Sequence, residues 1–195
     1  MCHSLLQDSS LFSLLRRMDE QLAAAARAAG CPCGGVLHRA RYPRKPRGGP
    51  EGLGPECRWR LSYCCGEEGC RRRVTPFSVL FLGRRVFFGV VVVLVSALQE
   101  GPVRGRLARV QEAMDGTPIS RRTLRRWERW WREGFVQSRF WMAARGLLGS
   151  AVDEGRLPGS LLEAFVGGDG RARLILLLRF LRPITSFSAP GSLAF

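Results

Sequence analysis

The chain of 195 residues carries 31 Lys and Arg against 16 Asp and Glu, a net charge of +15, and 46% of its residues are hydrophobic. This length suits one compact domain or two small ones with a real core, and the charge indicates a polyanionic partner, either nucleic acid or an acidic membrane surface. The longest apolar run, 86–98, is shorter than the ~18–20 residues of a bilayer span, which excludes a membrane-spanning helix.

The N-terminal region, 1–30, predicts one long helix over 9–29. Ser9 or Ser10 supplies an N-cap and Gly30 ends the helix. The opening residues lack the basic start, the long apolar stretch and the cleavage site of a secretory signal, so we expect a cytoplasmic protein in a reducing compartment. The apolar stripe of this helix consists of Leu11, Leu14, Leu15, Met18 and Leu22.

The second region, 31–83, is rich in Gly, Pro and Cys and contains six of the seven cysteines. In a reducing compartment such clustering indicates a metal site more often than disulfides. Residues 57–65 alternate between apolar and polar side chains, which predicts a short strand, and a second strand is predicted over 77–82.

The cysteine spacing predicts one structural zinc ion held by two pairs of thiolates. Gly34 follows the first pair and Gly66 follows Cys65, and glycine permits the backbone dihedral angles that such turns require. Four thiolates complete the tetrahedron, so no open position remains for a catalytic metal. The predicted ligands are Cys31, Cys33, Cys65 and Cys70.

Three alternative ligands stay open at this point. Cys64 can replace Cys65, and His38 or Cys57 can take a position in the site. The alternation of 57–65 favours Cys65, because it falls on the same side as the other large apolar residues of that segment.

The metal site is flanked by two basic loops, "HRARYPRKPRGG" and "CRRR". The basic residues are almost all arginine, whose planar fork binds phosphate through two parallel hydrogen bonds. We therefore expect the two loops to lie beside each other and to contact phosphates. The residues concerned are Arg44, Lys45, Arg47, Arg71, Arg72 and Arg73.

The third region, 84–182, is predicted to be helical. The valine-rich run 86–98 indicates a buried helix that ends at Gly101, and helices over 102–114 and 119–135 follow, joined by the turn 115–118. Three more helices precede Pro183, and 183–195 is predicted to be a flexible tail whose removal changes little. The fold class is mainly α with a small zinc-ribbon β element.

The segment "ISRRTLRRWERWWREGF" predicts the second helix of a helix-turn-helix. Ser120 is its natural N-cap, and Leu124, Trp127 and Trp131 share the inward side. An apolar seam with arginines elsewhere is what a helix in the DNA major groove requires, and an amphipathic helix on a membrane surface is a weaker alternative. The arginines predicted to face DNA are Arg121, Arg122, Arg125, Arg126 and Arg129.

The ordered combination of a cysteine ribbon, an apolar helix and this basic helix resembles the N-terminal DNA-binding region of bacterial insertion-sequence transposases. The resemblance covers about 31–135 and implies a zinc ribbon followed by a helix-turn-helix. It also implies that the four cysteines are metal ligands and that the arginines of the basic helix face DNA.

The sequence departs from those transposases after residue 135, where 60 residues remain and show no carboxylate pattern of a nuclease. We therefore predict a non-catalytic, sequence-specific protein that binds double-stranded DNA. Its expected role is an accessory or regulatory factor of a bacterial mobile element, in the nucleoid, with a transposase or recombinase as partner. The alternatives are an RNA-binding zinc-ribbon protein and a DNA-targeting subunit of a transposase whose active site lies on another chain.

Overall fold

A computed structural model describes residues 2–83, 85–98 and 119–186 of the chain. The fold is mainly helical, with a small antiparallel sheet, which confirms this part of the predicted fold class. The predicted helix 102–114 and the turn 115–118 lie outside the described residues. Within the described ranges the α-helices are Cys2–Leu6 (α1), Ser9–Ala28 (α2), Gly89–Leu98 (α3), Arg121–Arg129 (α4), Arg139–Ala144 (α5), Gly159–Ala164 (α6) and Gly170–Leu181 (α7).

Within the ranges the structure describes, the strands all belong to the cysteine-rich region. They are Leu37–Arg39 (β1), Tyr42–Pro43 (β2), Trp59–Arg60 (β3), Tyr63–Cys65 (β4) and Arg73–Val74 (β5). One antiparallel sheet has the order β1-β4-β5, and a second pairs β2 with β3. The register of the first sheet places Leu37 opposite Cys65 and Tyr63 opposite Val74.

The predicted strand 57–65 is interrupted. Residues Pro55–Arg58 form a 3-10 turn, and β3 and β4 pair with different partners. The alternation fails at Arg60, which is buried because its guanidinium donates to buried backbone carbonyls. The predicted strand 77–82 is also wrong, since it makes only an isolated bridge between Phe81 and Phe88.

Helix α2 starts where predicted, but its cap is Asp8, whose carboxylate accepts hydrogen bonds from the N–H groups of Ser10 and Leu11. The predicted stripe is rotated, because the fully buried side includes the charged Arg16 and Asp19. Both are satisfied by tertiary partners. Arg16 donates to the carbonyl of Trp59 at 2.9 Å. This bond attaches the cysteine-rich region 31–83, called the ribbon below, to the helix.

Helix α3 is the centre of the main core, which confirms a buried helix in the valine-rich run. It begins at Gly89 and not at residue 86, and the predicted end at Gly101 lies outside the described residues. Its residues 89–96 are all buried, and it packs against α1, α4, α6 and α7. Gly89 at the start of the helix lies against Leu178 and the carbonyls of Val79 and Leu80. No helix in the described ranges is long and apolar enough to cross a membrane.

The basic helix is shorter than predicted and continues as a π-helix over Trp130–Phe135. The wider turn brings Trp130, Trp131 and Phe135 to the same apolar side, and the ring centroids of the two tryptophans lie 4.4 Å apart. The predicted inward residues Leu124 and Trp127 are buried. Trp130 lies outside the predicted seam of Leu124, Trp127 and Trp131, but it is also buried and packs against Trp131.

A network of buried polar groups joins three parts of the chain. The carboxylate of Asp19 accepts hydrogen bonds from the Ser78 hydroxyl and, at 2.7 Å, from the N–H of Val79. Arg60 of the ribbon donates to the carbonyls of Pro76 and Thr185. Burial raises the pKa of Asp19, because few water molecules reach its carboxyl group.

The predicted tail begins too early. Residues Arg182–Thr185 form a 3-10 turn, and Thr185 and Ser186 are buried. The hydroxyl of Thr185 accepts from the N–H of Ser78 at 2.8 Å, and Ser186 donates to the carbonyl of Thr75 at 2.7 Å. The rest of the predicted tail, 187–195, lies outside the described residues.

Candidate metal centre and nucleic-acid interface

Two turns bring four cysteine thiols together at the end of the β1-β4-β5 sheet. One turn precedes β1 and the other follows β4, so the pairing of these strands fixes the distance between them. The ligand atoms of the four cysteines all lie within 4.8 Å of one another. The cluster is made of the predicted set, Cys31, Cys33, Cys65 and Cys70.

The sulfur distances fit a tetrahedral ion. The Sγ atoms of Cys31 and Cys70 are 3.7 Å apart, and those of Cys33 and Cys65 are 3.5 Å apart. A metal–sulfur bond of ~2.3 Å in a regular tetrahedron requires sulfur atoms about 3.8 Å apart. All four cysteines are free thiols, and their arrangement can hold one metal ion.

Backbone N–H groups point at the sulfur atoms, as a thiolate site needs. A hydrogen bond from the N–H of Gly35 is the largest of the effects that lower the pKa of Cys33 to about 7. The N–H of Glu67 acts on Cys65 in the same direction, but burial and the three neighbouring thiols outweigh it and raise the pKa of Cys65 to about 12. Four thiols this close ionise together only if a cation compensates their charge.

Two glycines allow the turns to close around this cluster. A methyl group at Gly35 would lie 2.7 Å from the sulfur of Cys65 and 2.4 Å from the side chain of Glu67. A methyl group at Gly66 would lie 2.7 Å from the imidazole of His38. The sequence predicts a turn glycine at Gly66 but not at Gly35. The only indication of Gly35 in the sequence is its position directly after Gly34.

The alternative ligands lie elsewhere. Cys64 points away from the cluster, and its thiol donates to the carbonyl of Arg71. Cys57 is buried in the main core. His38 lies in β1, and its imidazole contacts the second turn without joining the group of ligand atoms.

The basic helix α4 presents an arginine side to solvent. Its five arginines are exposed, and none of them forms an ion pair with a carboxylate of the described residues. The carboxylate of Glu128 pairs with Arg132, so it does not neutralise the charge of these five arginines. The hydroxyl of Ser120 accepts the N–H of Thr123 at 3.2 Å, which confirms the predicted cap. The exposed arginines are Arg121, Arg122, Arg125, Arg126 and Arg129.

The basic residues of the ribbon divide into two kinds. Arg44 is partly buried and donates to the carbonyls of Gly83 and Arg85, so the structure assigns it to an internal contact that the sequence did not suggest. Arg73 is exposed, and its guanidinium lies 5.9 Å from the ring of Tyr42, which places the two basic loops beside each other. The other exposed members are Lys45, Arg47, Arg71 and Arg72.

The ribbon loop and helix α4 meet through the segment 85–88. The N–H of Arg47 donates to the carbonyl of Val86 at 2.8 Å, and Arg47 forms a parallel bridge with Phe87. The ring of Phe87 packs edge-on against Trp127 of α4, with centroids 5.1 Å apart. This chain of contacts fixes the ribbon loop relative to the basic helix.

Arg85 reinforces this junction. Its guanidinium carbon lies 3.9 Å from the centroid of the Trp130 ring, a close cation–π contact. Burial, and then the nearby charge of Arg126, lowers the pKa of Arg85 to about 10. Arg85 therefore links the segment 85–88 to the π-helix that follows α4.

Searches among known proteins find no relative: no protein-family model, no curated protein and no solved structure matches this chain.

Proposed function

We propose that this protein binds double-stranded DNA sequence-specifically and catalyses no reaction on it. The observation that carries the proposal is the arginine side of α4, where five exposed guanidinium groups have no carboxylate partner among the described residues. Like charges so close together repel one another, and a polyanion relieves this repulsion. The buried Leu124 and Trp127 hold the opposite side of the helix in the core.

The proposed contact has two parts. Helix α4 enters the major groove, and Arg121, Arg122 and Arg125 near its N-terminus contact base edges. The exposed ribbon residues Lys45 and Arg47 contact phosphates, which position the protein without reading sequence. The junction of Arg47 with the segment before α3 supports this division, because it fixes both parts in one orientation.

The proposed metal is zinc, in a structural role. Four thiolates at tetrahedral distances suit Zn²⁺, and no ligand position remains for a substrate. Zinc would bridge the two turns and supply folding free energy to a region whose own apolar cluster is small. A purified sample should contain about one zinc per chain by elemental analysis, and a folded, reduced sample without metal would refute the assignment.

The proposed biological role is that of an accessory or regulatory factor of a bacterial mobile element, acting at the nucleoid beside a transposase or recombinase. It rests on the resemblance of 31–135 to the DNA-binding region of insertion-sequence transposases. A transposase or recombinase gene next to this one would support the role.

The binding proposal is tested on duplexes selected from a random pool, titrated over a salt series. Arg122→Gln and Arg125→Gln should each weaken binding to the selected duplex by roughly 1–3 kcal/mol and reduce the preference over random duplex. Arg47→Gln should weaken binding to every duplex alike and lower the slope of log K against log salt by about 0.9. Arg179→Gln, an exposed arginine on α7, is the control and should change neither.

Two results would contradict the proposal. If Arg122→Gln and Arg125→Gln bind both duplexes as the unaltered protein does while remaining folded, α4 does not read DNA. If hairpin RNA is bound much more tightly than any duplex, the protein is an RNA-binding ribbon. Incubation of the selected duplex with protein and Mg²⁺ should leave it intact, since the proposal contains no nuclease step.

A further inference from the structure

A groove of about 740 Å³ lies between helix α2 and the ribbon sheets, and none of its lining residues is assigned to the duplex contact. Its size falls within the range of ligand sites, roughly 300–1,000 Å³. The helix wall is lined by small side chains, Ala23, Ala24 and Ala28, which leave the space open. The ribbon wall contributes Leu61 and Tyr63.

The charges around the groove are unbalanced. Four arginines and two glutamates line it, a net charge of +2. Arg16 is already engaged, because it pairs with Glu20 at 3.0 Å and donates to the carbonyl of Trp59. The remaining acid is Glu56, which leaves the exposed Arg27, Arg39 and Arg41 with an excess of positive charge.

The three rim arginines are available to a ligand. None of them forms an ion pair with a carboxylate of the described ranges. Arg41 lies 4.9 Å from the centroid of the Trp59 ring, so its guanidinium is held beside a planar surface. The rim comes from both walls, since Arg27 belongs to α2 and Arg39 to β1.

We propose that this groove binds nucleotide units of an unpaired nucleic-acid strand. Phosphates would bind to Arg27, Arg39 and Arg41. A base would pack against Leu61, the exposed Ala24 and Ala28, and the small accessible part of Tyr63. A positively charged rim above an apolar, partly aromatic floor is the arrangement that proteins use for single strands. The site is separate from α4 and extends the proposed function to DNA whose strands are locally unpaired.

The direct test is fluorescence anisotropy with a labelled oligothymidylate of six nucleotides, titrated over a salt series. Arg27→Gln and Arg39→Gln should each weaken binding at least about threefold and lower the salt slope by about 0.7, the value for one phosphate of a single strand. The control is Arg17→Gln, because Arg17 is exposed on the same helix and does not line the groove. It should bind as the unaltered protein does.

A second pair of variants tests the groove without removing an arginine: one variant fills the groove and the other is its control. Ala24→Glu places a carboxylate among the rim arginines and should reduce binding of the oligonucleotide at least about tenfold, since glutamate is a good helix former and keeps α2 intact. Ala25→Glu adds the same charge at an exposed neighbouring position that does not line the groove. It should have a much smaller effect.

Competition identifies the chemistry of the ligand. Thymidine monophosphate should displace the labelled oligonucleotide at lower concentration than inorganic phosphate does, because the base contributes to binding. If the two compete equally, the groove is a plain phosphate site and the nucleotide proposal is wrong. It is equally wrong if hexaglutamate competes better than unlabelled oligothymidylate, which would indicate an acidic peptide.

Duplex binding is measured in parallel so that the two proposals are separated. If Arg122→Gln abolishes binding of the oligonucleotide while Ala24→Glu leaves it unchanged, single strands bind at α4 and the groove proposal is overturned. If the groove variants lose the oligonucleotide and retain the selected duplex, the groove proposal stands whatever the outcome for α4.

Discussion

At the scale of single residues, Cys64 and Cys65 are neighbours with opposite surroundings. The sulfur of Cys65 lies 3.5 Å from that of Cys33, and Cys65 is 1% exposed. The thiol of Cys64 points to a backbone carbonyl on the other side of β4. Because successive side chains of a strand face opposite ways, only one of the two can reach the cluster.

This difference predicts the metal content of two serine variants. Cys65→Ser should lose most of the bound zinc, because a neutral hydroxyl replaces a thiolate ligand. Cys64→Ser should retain about one zinc per chain and serves as the matched control. Elemental analysis of the two purified proteins is the measurement, and zinc loss from Cys64→Ser alone would contradict the ligand set.

The four clustered cysteines could be predicted from the sequence because two cysteine pairs with nearby glycines indicated a metal site, and the strand phase favoured Cys65 over Cys64. Asp19, Arg60 and Arg44 could not. Each is a charged residue whose sequence context resembles a solvated surface, and each is fixed by carbonyl or N–H groups far along the chain. No local pattern encodes such partners.

At the scale of elements, the start of α4 depends on one hydroxyl. Ser120 caps the helix by accepting the N–H of Thr123, and the first turn contains no acidic residue that would help. The arginines at this end lie near the positive end of the helix dipole, which is unfavourable, so the first turn depends more on the Ser120 cap for its stability.

Ser120→Ala should therefore lower the free energy of unfolding by about 1 kcal/mol and increase amide exchange in the first turn of α4. Ser120→Asp keeps an acceptor and adds a favourable charge, so it should be at least as stable as the unaltered protein. Denaturant unfolding and hydrogen exchange measure both effects. Equal stability of the alanine and aspartate variants would show that the cap contributes nothing.

The helices were predicted better than the strands because their signals are local. The stripe of α2 and the seam of α4 repeat over several turns, whereas the ribbon strands have two or three residues each. The alternation of 57–65 predicts one strand, but Arg60 turns inward and donates to the carbonyls of Pro76 and Thr185. The π-helix after α4 was also missed, since its tryptophans fit a continued α-helix nearly as well.

At the scale of the whole molecule, the ribbon, α2 and the C-terminal turn are held together by buried polar groups around Asp19. Asp19→Ala would leave the Ser78 hydroxyl and the N–H groups of Val79 and Leu80 without their acceptor. Each stranded donor costs about 1–3 kcal/mol, so we expect a loss of at least about 2 kcal/mol in unfolding free energy.

Asp19→Asn is the control for this change, because its amide oxygen still accepts some of these bonds, and it should fall between the alanine variant and the unaltered protein. Denaturant unfolding of the three proteins is the measurement. An alanine variant as stable as the unaltered protein would mean that water replaces the carboxylate.

The C-terminal turn completes the same network and gives the last prediction. A chain ending at Pro183 loses the hydroxyl acceptor for the N–H of Ser78, the bond from Ser186 to Thr75, and the carbonyl of Thr185 that accepts from Arg60. A chain ending at Ser186 keeps all three contacts and is the matched control.

The shorter chain should unfold with a free energy lower by roughly 2–4 kcal/mol, at about 1 kcal/mol or more for each lost bond. The comparison uses denaturant midpoints at a fixed salt concentration, together with zinc content to show that the ribbon remains formed. If the two shortened chains are equally stable, residues 184–186 contribute nothing to the fold and the buried network ends at Arg60.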